Sequence, residues 1–219
     1  MLEYPPMGVE TTGSTARVFD FDDTLLGRER ITRLMGLVVG KVRPQHVPHL
    51  SAEEITQLNI NHGRVEGEVK GRVEKTAFDW HAGRRVYPGV KEELEKLTSE
   101  GVDIYGNTGR PNKGAWVDMT HESLDRQGIG TYFRDIAFTP KGIKTAVSKA
   151  HRLWELSQQY EQVVMDEDDP RTVRFLATVL PDVQINYIQY GTSGLLVSRR
   201  ELEAFPNVRR VAVFSQRNS

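Results

Sequence analysis

Short apolar runs that end in polar or acidic residues alternate along this chain with stretches whose apolar residues fall at helical spacing. The first run, Ala16 to Phe19, predicts a buried strand at residues 16–20, and it stops at Asp20-Phe21-Asp22-Asp23-Thr24. Residues 27–43 then carry Ile31, Leu34, Leu37 and Val38 at helical intervals, and residues 41–50, with two prolines, read as a connection. Ser51 and Glu54 form the signature of a capping box that opens another helix. Val65, Val69 and Val73 recur every four residues, which predicts an amphipathic helix with a narrow apolar packing stripe; Gly67 and Gly71 count against it.

From Tyr87 onward the alternation is regular. Pro88-Gly89 opens a helix with Val90, Leu94 and Leu97 on one face, and Gly101 stops it. A strand at residues 102–105 leads to Asn107-Thr108-Gly109-Arg110-Pro111. A helix, a strand at 135–138, a helix at 142–158 and a strand at 162–165 follow, the last running into Asp166-Glu167-Asp168-Asp169. A helix near Pro170, a strand at 183–189, a late helix at 199–204 and an edge strand at 210–214 complete the pattern. Strands alternating with helices predict an α/β fold: a doubly wound, Rossmann-like parallel sheet with right-handed crossovers. In such sheets the site lies beyond the strand C-termini, so the clusters at Asp20, Thr108 and Asp166–Asp169 belong on one rim. The expected organisation is a lead-in at residues 1–15, a core of residues 16–25 and 86–219, and a small helical cap domain at residues 26–85 over the rim.

Composition narrows the chemistry. The chain has 219 residues, 38% of them hydrophobic, enough for one sizeable core. With 29 basic and 30 acidic residues the net charge is −1, which gives no support for a general nucleic-acid binder; a nucleic-acid terminal phosphate as substrate is left open. The absence of cysteine removes disulfides, thiolate catalysis and Cys-ligated metal, and fits a reducing, cytoplasmic setting. No apolar run approaches the length that spans a bilayer, so no membrane association is expected.

Asp20 at a strand end suits a nucleophile that attacks phosphorus, forms an aspartyl-phosphate and splits one displacement into two. Asp22 could protonate the leaving alkoxide and then activate water. Magnesium suits an all-oxygen set of clustered acids. Thr108 and neighbouring amides could hold phosphoryl oxygens, and a lysine would neutralise the remaining charge. Lys141, Lys144 and Lys149 are the available lysines.

In order, these motifs resemble those of the haloacid dehalogenase superfamily, on its phosphatase branch. Asp20-Phe21-Asp22-Asp23-Thr24-Leu25 is similar to the first motif, DxDxT, which usually has glycine where Asp23 stands. Thr108-Gly109-Arg110 resembles the second, with Thr108, Gly109, Arg110 and the lysine as the implied phosphate-binding residues. For the third motif, a lysine ahead of the fourth core strand, Lys144 is the first choice and Lys141 the runner-up. In the acidic fourth motif Asp168 is the leading metal-side acid, followed by Glu167 and Asp166. The resemblance implies a magnesium-dependent aspartyl-phosphate mechanism on a small phosphorylated substrate, with Asp20, Asp22, Glu167 and Asp168 at the metal and the Asp22 backbone among its ligands. A phosphotransferase or phosphomutase, or a non-catalytic phosphate-binding regulatory module, is the alternative. Asp22 argues against dehalogenation, since the true dehalogenases lack that second aspartate. His46, His49, His62 and His81 read as surface or cap residues, Val65, Val69 and Val73 as core packing, and Arg110 either as a phosphate contact or as a helix cap.

Overall fold

The computed structural model describes residues 14–27, 49–188, 202 and 204–211. The predicted helix at 27–43, most of the connection after it, His46 and most of the late helix at 199–204 lie outside these residues.

Among the described residues six strands form the main sheet: β1 (Thr15–Phe19), β4 (Asp103–Pro111), β5 (Phe133–Thr139), β6 (Gln162–Glu167), β7 (Gln184–Ile188) and β8 (Val208–Val211). Their spatial order is β5-β4-β1-β6-β7-β8, and every pairing is parallel. β1 is central, and the chain builds outward from it first through β4 and β5, then on the other side through β6 to β8. The two directions diverge at the C-terminal end of β1, the topological switch point where such sheets hold their ligands. Phe19 of β1 lies level with Gly106 of β4 and Asp166 of β6. The alternating α/β pattern is therefore realised as expected.

Helices cover both faces. Ile55 of α1 (Ala52–Thr56), Leu153 of α5 (Thr145–Ser157) and Leu176 of α6 (Pro170–Val179) pack on one face with Val18, Met165 and Ile185. Leu94 of α3 (Val90–Ser99) and Leu124 of α4 (Gly114–Arg126) pack on the other with Phe19, Ile104 and Ile136. Strand alternation separates the two sets: Val18 and Met165 face one layer, Phe19 the other. α1 carries the capping box, with Ser51 Oγ accepting from the Glu54 amide and the Ser51 amide donating to Glu54. α6 starts at Pro170 with Asp169 as its N-cap.

Two features adjoin the rim. The turn after β1 is closed by the amides of Leu25 and Leu26 donating to the Phe21 carbonyl. It leads into a two-stranded antiparallel ribbon, β2 (Leu26–Gly27) with β3 (Arg85–Val86). Within this turn Asp23 has φ 66°, a left-handed conformation that Asp tolerates better than most side chains and glycine adopts freely. That accounts for the glycine usual at this position of the resembled motif. α2 (Arg72–Ala82) docks on α4 through Phe78 and His81 against the Trp116 ring, and through Glu74, which accepts from Lys113 Nζ and Trp116 Nε1.

The valine stripe is a correction. No helix covers residues 57–71. The Val65 and Gly67 carbonyls accept instead from the Gly114 and Ala115 amides at the start of α4. The helix starts at Arg72, after Gly71 at φ 77°, a backbone angle that breaks helical continuity. Val65 and Val73 are exposed, at 53% and 85%, so they form no packing face.

Candidate active site

Asp20 follows the last residue of β1, and its amide donates to the Asp166 carbonyl of the adjoining strand β6. Its buried carboxylate accepts from Lys149 Nζ at 2.7 Å, and the same nitrogen donates to Glu167 at 2.6 Å. Lys149 lies in the second turn of α5, where the Asn107 side chain of β4 donates to its backbone carbonyl at 3.1 Å. Lys144 and Lys141, the sequence choices for this lysine, are exposed and precede the helix, Lys144 as its N-cap residue. The structure thus brings Lys149, rather than either of them, to Asp20.

The four acids after β6 have four different settings. Asp166 turns to the opposite face, where Arg17 holds it through two nitrogens, one at 2.9 Å. Glu167, one residue on and so on the other face, meets Lys149 and also accepts from the Asp169 amide at 3.1 Å. Asp168 accepts from Thr24 Oγ1 at 3.3 Å. Asp169 caps α6, accepting from the Arg171 amide and the Thr172 hydroxyl. Donor oxygens of Asp20, Glu167 and Asp168 lie within 4.8 Å of one another. Asp166 is therefore not part of this group.

Burial raises the pKa of all three clustered acids, with repulsion adding to it: from Asp22 on Asp20, from Asp20 on Glu167, and from Glu167 and Asp20 on Asp168. Glu167 is pushed up to about 7 although Lys149 opposes the shift. Asp20 and Asp168 are also raised, Asp168 well above the usual carboxylate range. Burial would lower the Lys149 ammonium, but the charges of Asp20 and Glu167 outweigh it and hold the lysine protonated. One cation faces three carboxylates, and the donors are all hard oxygens, so the residues fit a magnesium ion.

Asp22 has the opposite surroundings. Arg110 reaches it with a two-pronged contact, Nε at 3.0 Å and Nη2 at 2.8 Å. His81 Nδ1 lies 3.1 Å and Arg84 Nε 3.3 Å from the same carboxylate. Burial would raise this acid, but the Arg110 charge and hydrogen bonds, with the His81 ring alongside, prevail and hold it far below the usual range. Arg84 also reaches Asp23 at 2.9 Å and donates to the Leu26 carbonyl.

Arg110 itself is buried and donates to Thr120 Oγ1 at 3.0 Å, so its guanidinium is fixed from both sides. It caps no helix. Thr108, also buried, accepts from the Arg110 amide with its hydroxyl. At Gly109 β4 passes close to α5: an added Cβ would stand 3.0 Å from Thr145 Cγ2. Sequence reasoning did not single out Arg84, and it gave His81 a minor place. Both come from residues 72–86, and α2 docking and the β2–β3 ribbon carry them to the rim.

No protein-family model and no curated protein matches the chain. Solved structures do match. One is a haloacid dehalogenase-like hydrolase from Streptococcus pneumoniae, 16% identical, with a TM-score of 0.51 over 90% of this chain and 93% of the other. Another is described as a predicted phosphatase from Clostridium acetobutylicum, 17% identical, with a TM-score of 0.53 over 91% and 93%. The chain therefore has the haloacid dehalogenase-like fold. Among the described residues no helix is long and apolar enough to cross a membrane.

Proposed function

We propose that the chain is a magnesium-dependent phosphomonoester phosphatase working through an aspartyl-phosphate on Asp20. The observation that carries this reading is the Asp20–Lys149–Glu167 ion pair, with Asp168 alongside, at the C-terminal rim of a haloacid dehalogenase-like sheet. The likeness to phosphatase structures supports it through the fold.

An oxygen of Asp20 attacks phosphorus, and the bond to the leaving oxygen breaks as Asp22 delivers a proton to it. Asp22 then takes a proton from water, and the resulting hydroxide displaces Asp20 to release phosphate. Lys149 favours the ionised form of Asp20 against burial, orients it and offsets charge on the phosphoryl group. Arg110, His81 and Arg84 hold Asp22 as a carboxylate, the form suited to activating water. For the first step an incoming phosphate, itself a strong anion, draws Arg110 away and lets Asp22 carry its proton. Asp20, Asp168 and the Asp22 backbone would hold magnesium, with Glu167 close behind; when bound it neutralises the clustered carboxylates and the phosphoryl oxygens. The substrate on this reading is a small phosphate monoester, and residues 26–85 select its leaving group. The setting is cytoplasmic.

An aryl phosphate assay with and without magnesium tests the proposal. Turnover in magnesium and its loss in Asp20→Asn are expected. No turnover in magnesium, or full activity in Asp20→Asn, overturns it.

A further inference from the structure

On the face of α5 away from Asp20, two imidazoles and a carboxylate converge with no role in the reaction above. His151 and Glu155 are one helical turn apart on α5, and His62 comes from the irregular stretch between α1 and α2. The two rings are 5.6 Å apart between centroids. Each of the three residues offers a donor atom within 4.8 Å of the other two.

The hydrogen-bond inventory of these rings is incomplete in a specific way. His62 Nδ1 faces the Phe138 carbonyl at 3.4 Å, which can only accept, so the proton sits on Nδ1 and the Nε2 lone pair is left over. Nε2 is buried and has no hydrogen-bond partner among the described residues. His151 is only 5% exposed, and its Nδ1 is likewise buried without a hydrogen-bond partner among them. The nearest acceptor, Glu155 Oε1, is 3.8 Å away, too far for a hydrogen bond. Glu155 is itself aimed: its Oε2 accepts from Arg152 at 3.1 Å, while Oε1 faces His151. A buried nitrogen with no partner keeps the full cost of its desolvation. Two such nitrogens on rings grouped with one carboxylate is the arrangement a cation would satisfy.

We propose that His62, His151 and Glu155 form a binding site for a zinc-class divalent transition-metal ion, separate from the oxygen-lined magnesium site. Two imidazoles and one carboxylate are a borderline-soft donor set that suits zinc and disfavours magnesium. A hydrogen bond from the second ring nitrogen to a carbonyl, as His62 makes to Phe138, is how metal-bound histidines are usually oriented. Tetrahedral zinc with bonds of about 2.1 Å sets its ligand atoms roughly 3.4 Å apart. The donors need close by no more than about 1.4 Å, within reach of side-chain rotation at the part-exposed His62 and Glu155. With three protein ligands the fourth position is left for water. Burial lowers the pKa of His62, which keeps it in the neutral form that binds metal. The ion would tie the segment carrying His62, and through it α1 and α2, to α5, the helix that supplies Lys149.

The test uses the full chain stripped with a chelator, titrated with zinc against a chromophoric competitor in excess magnesium, which saturates the oxygen cluster. One equivalent of zinc should bind, with a rise in melting temperature. His62→Gln and Glu155→Gln, both at part-exposed positions, should each weaken it at least about tenfold and remove that rise. The Asp20→Asn/Asp168→Asn double variant should bind zinc as the wild type does. The proposal is overturned if the wild type takes up no zinc, if either ligand variant stays within tenfold of it, or if the Asp20/Asp168 variant loses the binding.

Discussion

Asp20 and Asp22 leave one strand end two residues apart and meet opposite electrostatic surroundings. Asp20 shares Lys149 with Glu167 and has Asp168 nearby, so three acids face one cation. Asp22 draws Arg110, Arg84 and His81 onto a single carboxylate. Burial acts on both in the same direction, yet Asp20 is raised and Asp22 lowered. The number of cations within reach therefore decides the outcome, not depth in the protein. One half of the rim is short of positive charge, while the other gathers two guanidiniums on Asp22 and Asp23 with the His81 ring alongside. That suits a metal cation beside a phosphate anion, and each half can be tested by itself.

The largest effect is expected at Lys149. Lys149→Met leaves Asp20 and Glu167 buried and uncompensated, which should cost about 3–5 kcal/mol in unfolding free energy by denaturant titration. Lys144→Met, at an exposed position, should stay within about 0.5 kcal/mol. Equal losses in the two variants would mean that Lys149 does not govern the acid-rich half.

Magnesium is the second probe of that half. At about a hundredfold above its dissociation constant it should stabilise the wild type by roughly 2.7 kcal/mol. Asp168→Asn should abolish this gain, read by thermal melting with and without the metal. Asp166→Asn should leave it intact, because Asp166 is paired with Arg17 on the other face. A metal effect that survives in Asp168→Asn would remove Asp168 from the site.

The acid-rich half was the more legible in sequence. Apolar runs that stop at acids marked the ends of β1 and β6, and the order of motifs put them on one rim. Among the acids, Asp168 and Glu167 were ranked ahead of Asp166, and period-two alternation from Met165 gives the reason: it puts Glu167 on the Asp20 face and Asp166 on the other. What failed was the choice among lysines. The choice of Lys149 over Lys144 needed the start of α5 at Thr145, which one-dimensional spacing locates only to within a turn. The cation-rich half was largely illegible. His81 and Arg84 lie some sixty residues from Asp22 in sequence, and nothing local says that α2 docks on Trp116 or that β3 pairs with β2. The valines at 65, 69 and 73 imitated a helix, while the amides of Gly114 and Ala115 took the carbonyls that such a helix needs.

In the cation-rich half Arg110 is expected to matter most. Arg110→Lys keeps a charge but loses the planar fork that grips both Asp22 oxygens and Thr120, and it should cost about 2 kcal/mol. The comparison further requires that the loss come through Asp22. In an Asp22→Asn background the same substitution should cost clearly less, and a double-mutant cycle measures the difference. Additive losses would show that Arg110 is held by the core rather than by Asp22.

Arg84→Gln should have the smallest effect, about 1 kcal/mol. Arg84 stands 3.3 Å from Asp22, against the 2.8 Å contact of Arg110, and its other acid, Asp23, is nearly half exposed. Arg110 remains on Asp22 when Arg84 is gone, so the carboxylate is never left without a cation. A loss as large as that of Arg110→Lys would mean that the cations act as one network, each needed to hold the others in place. Asp22 would then be gripped by a rigid cage, and drawing Arg110 toward a bound phosphate would require moving Arg84 and His81 with it.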